Sequence, residues 1–167
     1  MYTLNLIVID IDRKNQSEFI GAVRDSGQYE NSLFGRIHPT DKLLIWLFGI
    51  PMTSDSQYEM LWEILAEGAD GYIFVIDCTQ PAAFPEAARL IQIFRQYAPV
   101  PFVVAAHGFN TTTHSLKKLI EQLNLPVNTD IMPCIVSDPN SAKAVVQRAF
   151  QKILETDEGR ILDSICC

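Results

Sequence analysis

Apolar runs of strand length alternate with amphipathic segments of helix length along this chain. Uninterrupted apolar stretches such as Tyr-Ile-Phe-Val-Ile at 72–76 are typical of strands buried on both faces of a sheet. The alternation predicts an α/β fold with a mostly parallel six-stranded sheet covered by helices on both sides. The predicted strands are 3–9, 33–37, 43–48, 71–77, 101–106 and 131–136, and the predicted helices are 15–26, 56–67, 82–97, 112–123 and 140–155.

Two local patterns refine this prediction. The short polar segment His-Pro-Thr-Asp-Lys at 38–42 joins the second and third strands, which predicts an antiparallel hairpin and therefore one antiparallel edge strand. In the helix near 56–67, a single stripe carries Tyr58, Leu61, Trp62 and Leu65, so this stripe is expected to pack into the core.

Composition narrows the class of protein. The chain has 167 residues and a net charge of −7, and it lacks the clustered cations of a nucleic-acid-binding surface. No apolar run approaches the ~20 residues of a membrane span, and the first ten residues do not form a signal peptide. Cys78 and Cys134 lie inside apolar runs, which predicts buried, reduced thiols. We expect a cytoplasmic protein with one domain at 1–157 and a tail at 158–167.

The chemistry of such a sheet is expected beyond the carboxyl ends of its strands. Asp10 and Asp12 follow the first strand, and His107 follows the fifth. Solvated loop carboxylates are the plain interpretation of the acidic pair, and a metal site is the alternative. For His107, a loop histidine with a local hydrogen bond is preferred over a general base, because no nucleophile lies at a recognisable spacing.

Several phrases, in order, resemble the Ras-like small GTPases, and most closely the prokaryotic branch related to gliding-motility GTPases. The similarity covers nearly the whole chain, from about residue 3 to 155, and it implies a three-layer α/β/α P-loop NTPase fold. The phrases are FGRI (34–37), LLIWLFGIP (43–51), YEMLWEIL (58–65), EGADGYIFVIDCTQP (67–81) and VPFVVAAHGFN (100–110).

The nucleotide motifs of that family are altered in this sequence. A P-loop reads Gly-x-x-x-x-Gly-Lys-Ser/Thr, in which glycines approach the phosphates and lysine neutralises their charge. Here Asp10 and Asn15 stand at the glycine positions, Gln16 stands at the lysine position, and only Ser17 matches. Acidic side chains at this point oppose a bound triphosphate.

The other motifs are altered in the same way. Met52 stands where the second glycine of switch II would meet the γ-phosphate, and the guanine-reading motif becomes His107-Gly108-Phe109-Asn110. Asn110 offers one carbonyl where the family uses a carboxylate to accept two guanine N–H groups.

The resemblance therefore implies a pseudo-GTPase: a non-catalytic protein-interaction or regulatory module without a cofactor or metal. Its partners would bind the switch-like surface at 27–37 and 50–62. An active small GTPase or a roadblock/light-chain-type regulator is the implied partner.

Three alternatives stay open. The first is a protein that binds GDP or GTP with Mg²⁺ weakly or in an altered pose. The second is a receiver-like signalling domain, suggested by the acidic pair Asp10 and Asp12, although Leu47 or Phe48 fills the phosphoacceptor position. The third concerns Cys166 and Cys167, which resemble a prenylated double-cysteine ending; an unmodified tail is preferred.

Overall fold

The computed structural model describes residues 1–27, 33–50 and 59–156. Predictions for Met52, Tyr58, Cys166, Cys167 and the tail at 158–167 lie outside the described residues. The strands are β1 (Tyr2–Ile9), β2 (Phe34–Thr40), β3 (Leu43–Gly49), β4 (Gly71–Asp77), β5 (Phe102–His107) and β6 (Ile131–Cys134). The helices are α1 (Arg13–Val23), α2 (Glu59–Glu67), α3 (Phe84–Tyr97), α4 (Leu116–Gln122) and α5 (Pro139–Thr156), with a 3₁₀ turn at Pro81–Ala83.

The six strands form one sheet in the order β2-β3-β1-β4-β5-β6. All neighbouring pairs are parallel except β2 and β3, which form the predicted antiparallel hairpin at one edge. The mostly parallel six-stranded sheet and its antiparallel edge strand are thus confirmed. The parallel strands end at a common edge, where Asp77 lies opposite His107 in the register of β4 and β5.

Helices cover both faces of the sheet, because side chains of the central strands alternate between two cores. In β1, Leu4, Leu6 and Val8 enter a core shared with α1 and α5. Ile7 and Ile9 enter the opposite core, which is shared with α2, α3 and α4. Strands with both faces buried explain the uninterrupted apolar runs of the sequence, and the arrangement has three layers.

The prediction for α2 was wrong in part. Trp62 is buried and packs on the Phe94 ring with 5.8 Å between ring centroids. Leu61 and Leu65 of the predicted core stripe are exposed instead. The helix contacts the core along the narrow line of Trp62 and Ala66, one turn apart. Its neighbouring apolar positions therefore remain at the surface.

Helix starts also differ from the sequence prediction. Helix α1 begins at Arg13, two residues early, because the Asp12 side chain accepts a hydrogen bond from Lys14 N and caps the helix. Helix α4 begins at Leu116, four residues late, because residues 110–114 form hydrogen-bonded turns first. Within the described residues, no helix is long and apolar enough to cross a membrane.

Candidate functional site

The candidate site lies where the strand order reverses. The chain leaves β1 through α1 on one face and reaches β4 through α2 on the other, so a crevice opens between the carboxyl ends of β1 and β4. Ligands of open α/β sheets bind at such a point. Residues 10–13 line the crevice after β1, and Asp77 and Gln80 line it at the end of β4.

The loop after β1 uses its own carboxylates to bind its backbone N–H groups. Asp12 N donates to Asp10 Oδ1 at 3.1 Å, and Lys14 N donates to Asp12 Oδ1 at 2.8 Å. In an anion-binding loop these N–H groups would point at the ligand. Here two of them are already satisfied by acidic side chains, so the loop is a poor cradle for phosphate.

Gln16, at the position of the P-loop lysine, points into the protein. Its side chain is fully buried, and Nε2 donates to the backbone oxygens of Asp10 at 2.8 Å and Ile50 at 2.9 Å. This amide joins the segments that follow β1 and β3. A side chain held in that way is not available to a ligand in the crevice, and its role is to fix the two loops.

The expectation that Asp10 is a solvated carboxylate was wrong. The residue is only 7% exposed, and burial raises its pKa from 3.8 to about 7, against the opposing effects of Asp12 N and the Asn15 side chain. Asp10 Oδ2 has no hydrogen-bond partner among the described residues. Asp12, in contrast, is exposed as expected.

The remaining P-loop positions, Asn15 and Ser17, lie in the first turns of α1. Asn15 is buried at the start of α1, and its Nδ2 lacks a hydrogen-bond partner among the described residues. Ser17 is partly exposed, and its Oγ donates to Lys14 O at 3.0 Å within the first turn of α1. The hydroxyl proton of Ser17 is thus used within the helix.

The predicted base-reading positions lie at the far side of the same sheet edge. Val136 N donates to His107 Nδ1 at 3.4 Å, which links the loops after β5 and β6. The exposed Asn110 turns its side chain onto its own loop: Oδ1 accepts from Thr112 N at 2.9 Å and from Thr112 Oγ1 at 2.7 Å. The oxygen that could have faced a base thus stabilises a local turn.

His114 organises this loop, and sequence reasoning assigned it no role. Its Nδ1 accepts from Asn110 N at 2.9 Å, its Nε2 lies 3.1 Å from Cys78 O, and its ring stacks on Phe109. The neutral tautomer with the proton on Nε2 satisfies both contacts. A histidine four residues after an asparagine in a threonine-rich turn was the available signal.

Histidine and cysteine lie close here without forming a catalytic pair. His114 contacts the backbone oxygen of Cys78 rather than its sulfur. Burial, followed by the charge of Asp77, raises the pKa of the buried Cys78 thiol to about 11. A thiol with that pKa is protonated at neutral pH and is a weak nucleophile.

A cavity of about 330 Å³ occupies the crevice between the loop after β1 and the start of α3. Its lining combines acidic residues with apolar residues. Within the described parts of the chain, no group of three or more His, Cys, Asp or Glu side chains is placed to hold a metal ion. The described lining residues are Asp10, Ile11, Asp12, Arg13, Ile76, Asp77, Gln80, Ala83, Phe84 and Ala87.

A second feature is the apolar outer surface of α2. Met60 is 71% exposed and Ile64 is 60% exposed, one helical turn apart, and Leu61 and Leu65 lie beside them. We call these four residues the α2 patch. Charged residues normally occupy the outer face of a surface helix, so this patch requires another explanation.

Aromatic side chains lie on the same side of the sheet as α2. Phe34 stacks on Trp46 with 5.0 Å between ring centroids and contacts Phe48 at 5.3 Å. The alternate β3 residue Leu47 enters the core with α1 and α5, so Trp46 and Phe48 face the side covered by α2. Phe34 is exposed, and both partners are partly exposed.

A scan against protein-family models found no match to this chain, and a search of curated proteins found none either.

Proposed function

We propose that this protein is a pseudo-GTPase of Ras-like fold that acts as a protein-interaction module rather than as a nucleotide-dependent enzyme. The single observation that argues against nucleotide-dependent catalysis is that the loop after β1 makes its hydrogen bonds within the protein. Its N–H groups bind Asp10 and Asp12, and the amide at the lysine position is buried between two loops. The six-stranded sheet with its antiparallel edge is the architecture that the sequence resemblance implies.

Electrostatics supports the same proposal. The acidic residues Asp12 and Asp77 line the crevice beside the buried Asp10, whereas Arg13 is the cation among its described lining residues. Two like charges ~4 Å apart repel by about 4 kcal/mol at an effective dielectric constant of ~20. A di- or triphosphate would bring several negative charges close to Asp12 and Asp77, so binding in the pose of an active GTPase is disfavoured.

The α2 patch supports the proposed role in protein interaction. Contiguous exposed apolar side chains on a soluble surface mark sites of protein association. The patch and the nearby Phe34 fall within the predicted switch-like surface at 27–37 and 50–62, or directly beside it. In an active relative this surface changes with the γ-phosphate, whereas we propose that here it is bound constitutively.

The implied partners are an active small GTPase or a roadblock/light-chain-type regulator. Both would bury apolar side chains against the α2 patch. Cytoplasmic location belongs to the same proposal.

Ile64→Glu is expected to weaken binding of the partner at least tenfold while leaving the fold intact. Ile64 is 60% exposed, so the free energy of unfolding should change by no more than ~0.5 kcal/mol. A charge in the apolar centre of an interface costs far more. Partners recovered by affinity purification would be identified by mass spectrometry, purified, and titrated against both proteins by biolayer interferometry.

Ile135→Glu is the matched control, because Ile135 is 59% exposed and lies outside α2. The proposal requires that the control bind the purified partner as tightly as the unmodified protein. Equal binding by all three proteins, or equal loss in both variants, would show that the α2 patch is not the interface.

A further inference from the structure

A second cavity lies on the face of the sheet opposite α2, between the end of α1, the β2–β3 hairpin and α5. We call it the α1–α5 cavity. Its volume of about 660 Å³ is twice that of the crevice cavity and falls in the range of pockets that bind small molecules. Val23, Ile45 and Val146 of its lining belong to the core shared with α1 and α5, so the sheet separates this cavity from the α2 patch.

Contacts between α1 and β2 fix one side of the α1–α5 cavity. Asp25 N donates to Arg36 O at 3.0 Å, and Asp25 Oδ2 lies 2.6 Å from His38 Nδ1. Gly35 lets β2 approach α1 closely, since a Cβ at this position would lie 2.8 Å from Ile20 Cγ2. These contacts hold the end of α1 on the hairpin, so the cavity has a defined shape before a ligand binds.

The buried part of the lining is apolar. Val23, Ile45 and Val146 are at most 5% exposed, and Ile37 and Phe150 pack against the same core while remaining partly exposed. An apolar group in the cavity would remove the exposed parts of Ile37 and Phe150 from water, which is favourable in proportion to the area covered. The ligand therefore needs an apolar body.

The charged part of the lining has the opposite sign to the protein as a whole. It carries the cations Arg24 and Lys143 and one carboxylate, Asp25, which already contacts His38 Nδ1. Within the described residues, Lys143 makes no hydrogen bond or ion pair, so its ammonium is available to an anion. Because the net charge of the chain is −7, attraction of an anion to this cavity is a local property.

We propose that the α1–α5 cavity binds an organic carboxylate with an apolar chain, such as a free medium-chain fatty acid. The carboxylate would accept from Lys143 Nζ near Arg24, and the chain would pack against Ile37 and Phe150. A phosphate fits less well, because α5 enters the lining at Lys143, past the N–H groups of its first turn.

The chain and the carboxylate are expected to contribute differently. Lys143 is exposed, and an ion pair at an exposed site adds little affinity, so burial of the chain should supply most of it. The charge then selects a carboxylate over an uncharged group of the same length. This site goes beyond the proposed interaction function and does not depend on the α2 patch.

The test is a titration of the ¹⁵N-labelled full chain, followed by NMR amide shifts. Three probes are used: octanoate, octanamide as its uncharged match, and acetate as the carboxylate without a chain. We expect octanoate to give saturable shifts at residues 23–26, 37–38 and 143–150, with a dissociation constant of about 1 mM or less. Octanamide should bind about threefold more weakly or worse, and acetate should give no saturable shift.

A charge variant separates this site from general attraction of anions to lysine. Lys143→Gln is expected to weaken octanoate binding about threefold or more and to leave octanamide binding unchanged, so the two affinities become nearly equal. Lys117→Gln is the matched control, because Lys117 is exposed on α4 and the substitution removes the same charge. The control should bind both probes as the unmodified protein does.

A second pair of variants tests whether the ligand enters the cavity. Gln147→Trp places a large side chain at a lining position and should abolish saturable binding of octanoate. Gln151→Trp is the control, since Gln151 is exposed one turn later on α5 and is not among the described lining residues. Binding by the control should be unchanged.

Four results would overturn the proposal. They are the absence of saturable shifts with octanoate, equal binding of octanoate and octanamide by the unmodified protein, equal octanoate affinity in Lys143→Gln and Lys117→Gln, and equal affinity in the two tryptophan variants. None of these measurements involves nucleotide or the α2 patch, so failure here would leave the proposed interaction function standing.

Discussion

Asp10→Asn is expected to stabilise the protein at pH 8, by up to about 4 kcal/mol in the free energy of unfolding. The native pKa of about 7 lies roughly three units above the value of 3.8 for an unfolded aspartate. Each unit corresponds to 1.36 kcal/mol, so ionising this buried carboxyl at high pH costs the folded state several kcal/mol. The neutral amide removes that cost and keeps the oxygen that accepts from Asp12 N.

The sign of the pH dependence follows from proton binding. Between pH 3.8 and about 7, the folded protein holds a proton on Asp10 that the unfolded chain has already lost. The contribution of Asp10 to stability is therefore full below pH 3.8, falls as pH rises toward 7, and is constant above that value. In Asp10→Asn this decline should be absent.

Urea denaturation at pH 5, 6, 7 and 8 measures this difference between the two proteins. Asp41→Asn is the control, since Asp41 is exposed and no comparable gain is expected there. If Asp10→Asn has the same stability profile as the unmodified protein from pH 5 to 8, Asp10 is solvated and the description of the crevice is wrong.

Gln16→Ala is expected to destabilise the protein by roughly 3 kcal/mol. The substitution removes two hydrogen bonds to backbone oxygens that follow β1 and β3, and it leaves a void where a fully buried side chain lay. Lost partners for buried polar groups cost about 1–3 kcal/mol, and the cavity adds to that cost. The effect is on the fold, because Gln16 joins two loops rather than binding a ligand.

Gln92→Ala, on the exposed face of α3, is the matched control and should change stability by less than ~0.5 kcal/mol. Both variants are measured by urea denaturation at one pH. A loss below ~1 kcal/mol in Gln16→Ala would contradict the two buried hydrogen bonds of Gln16, because substitution of a solvent-facing glutamine has that small effect.

Much of the fold was predictable from sequence because strands buried on both faces leave an uninterrupted apolar signal. The six strands and the antiparallel edge follow from such runs and from the short turn at 38–42. Helix α2 was less predictable. Its apolar positions fill all of the helix surface outside the stripe of Glu59, Glu63 and Glu67, so periodicity could not distinguish the buried Trp62 from the exposed Leu61 and Leu65.

The location of the candidate site was predictable from the sequence, but the burial and direction of its side chains were not. The carboxyl ends of the strands located Asp10, Gln16 and His107 at one edge. The inward direction of Gln16 depends on the segment after β3, where Ile50 O accepts from Gln16 Nε2, and no local pattern records a contact across 34 residues. His114 was missed for the same reason, since its partner Cys78 lies 36 residues away.

We propose that this scaffold does not hold a nucleotide in the manner of an active GTPase. Isothermal calorimetry of the purified chain with GDP, GTP and ATP, each with Mg²⁺, tests it most directly. We predict no saturable binding of any of the three at concentrations up to ~1 mM. A one-to-one complex with any of them would contradict the claim, and a dissociation constant below ~10 μM would place the protein among nucleotide-binding switches.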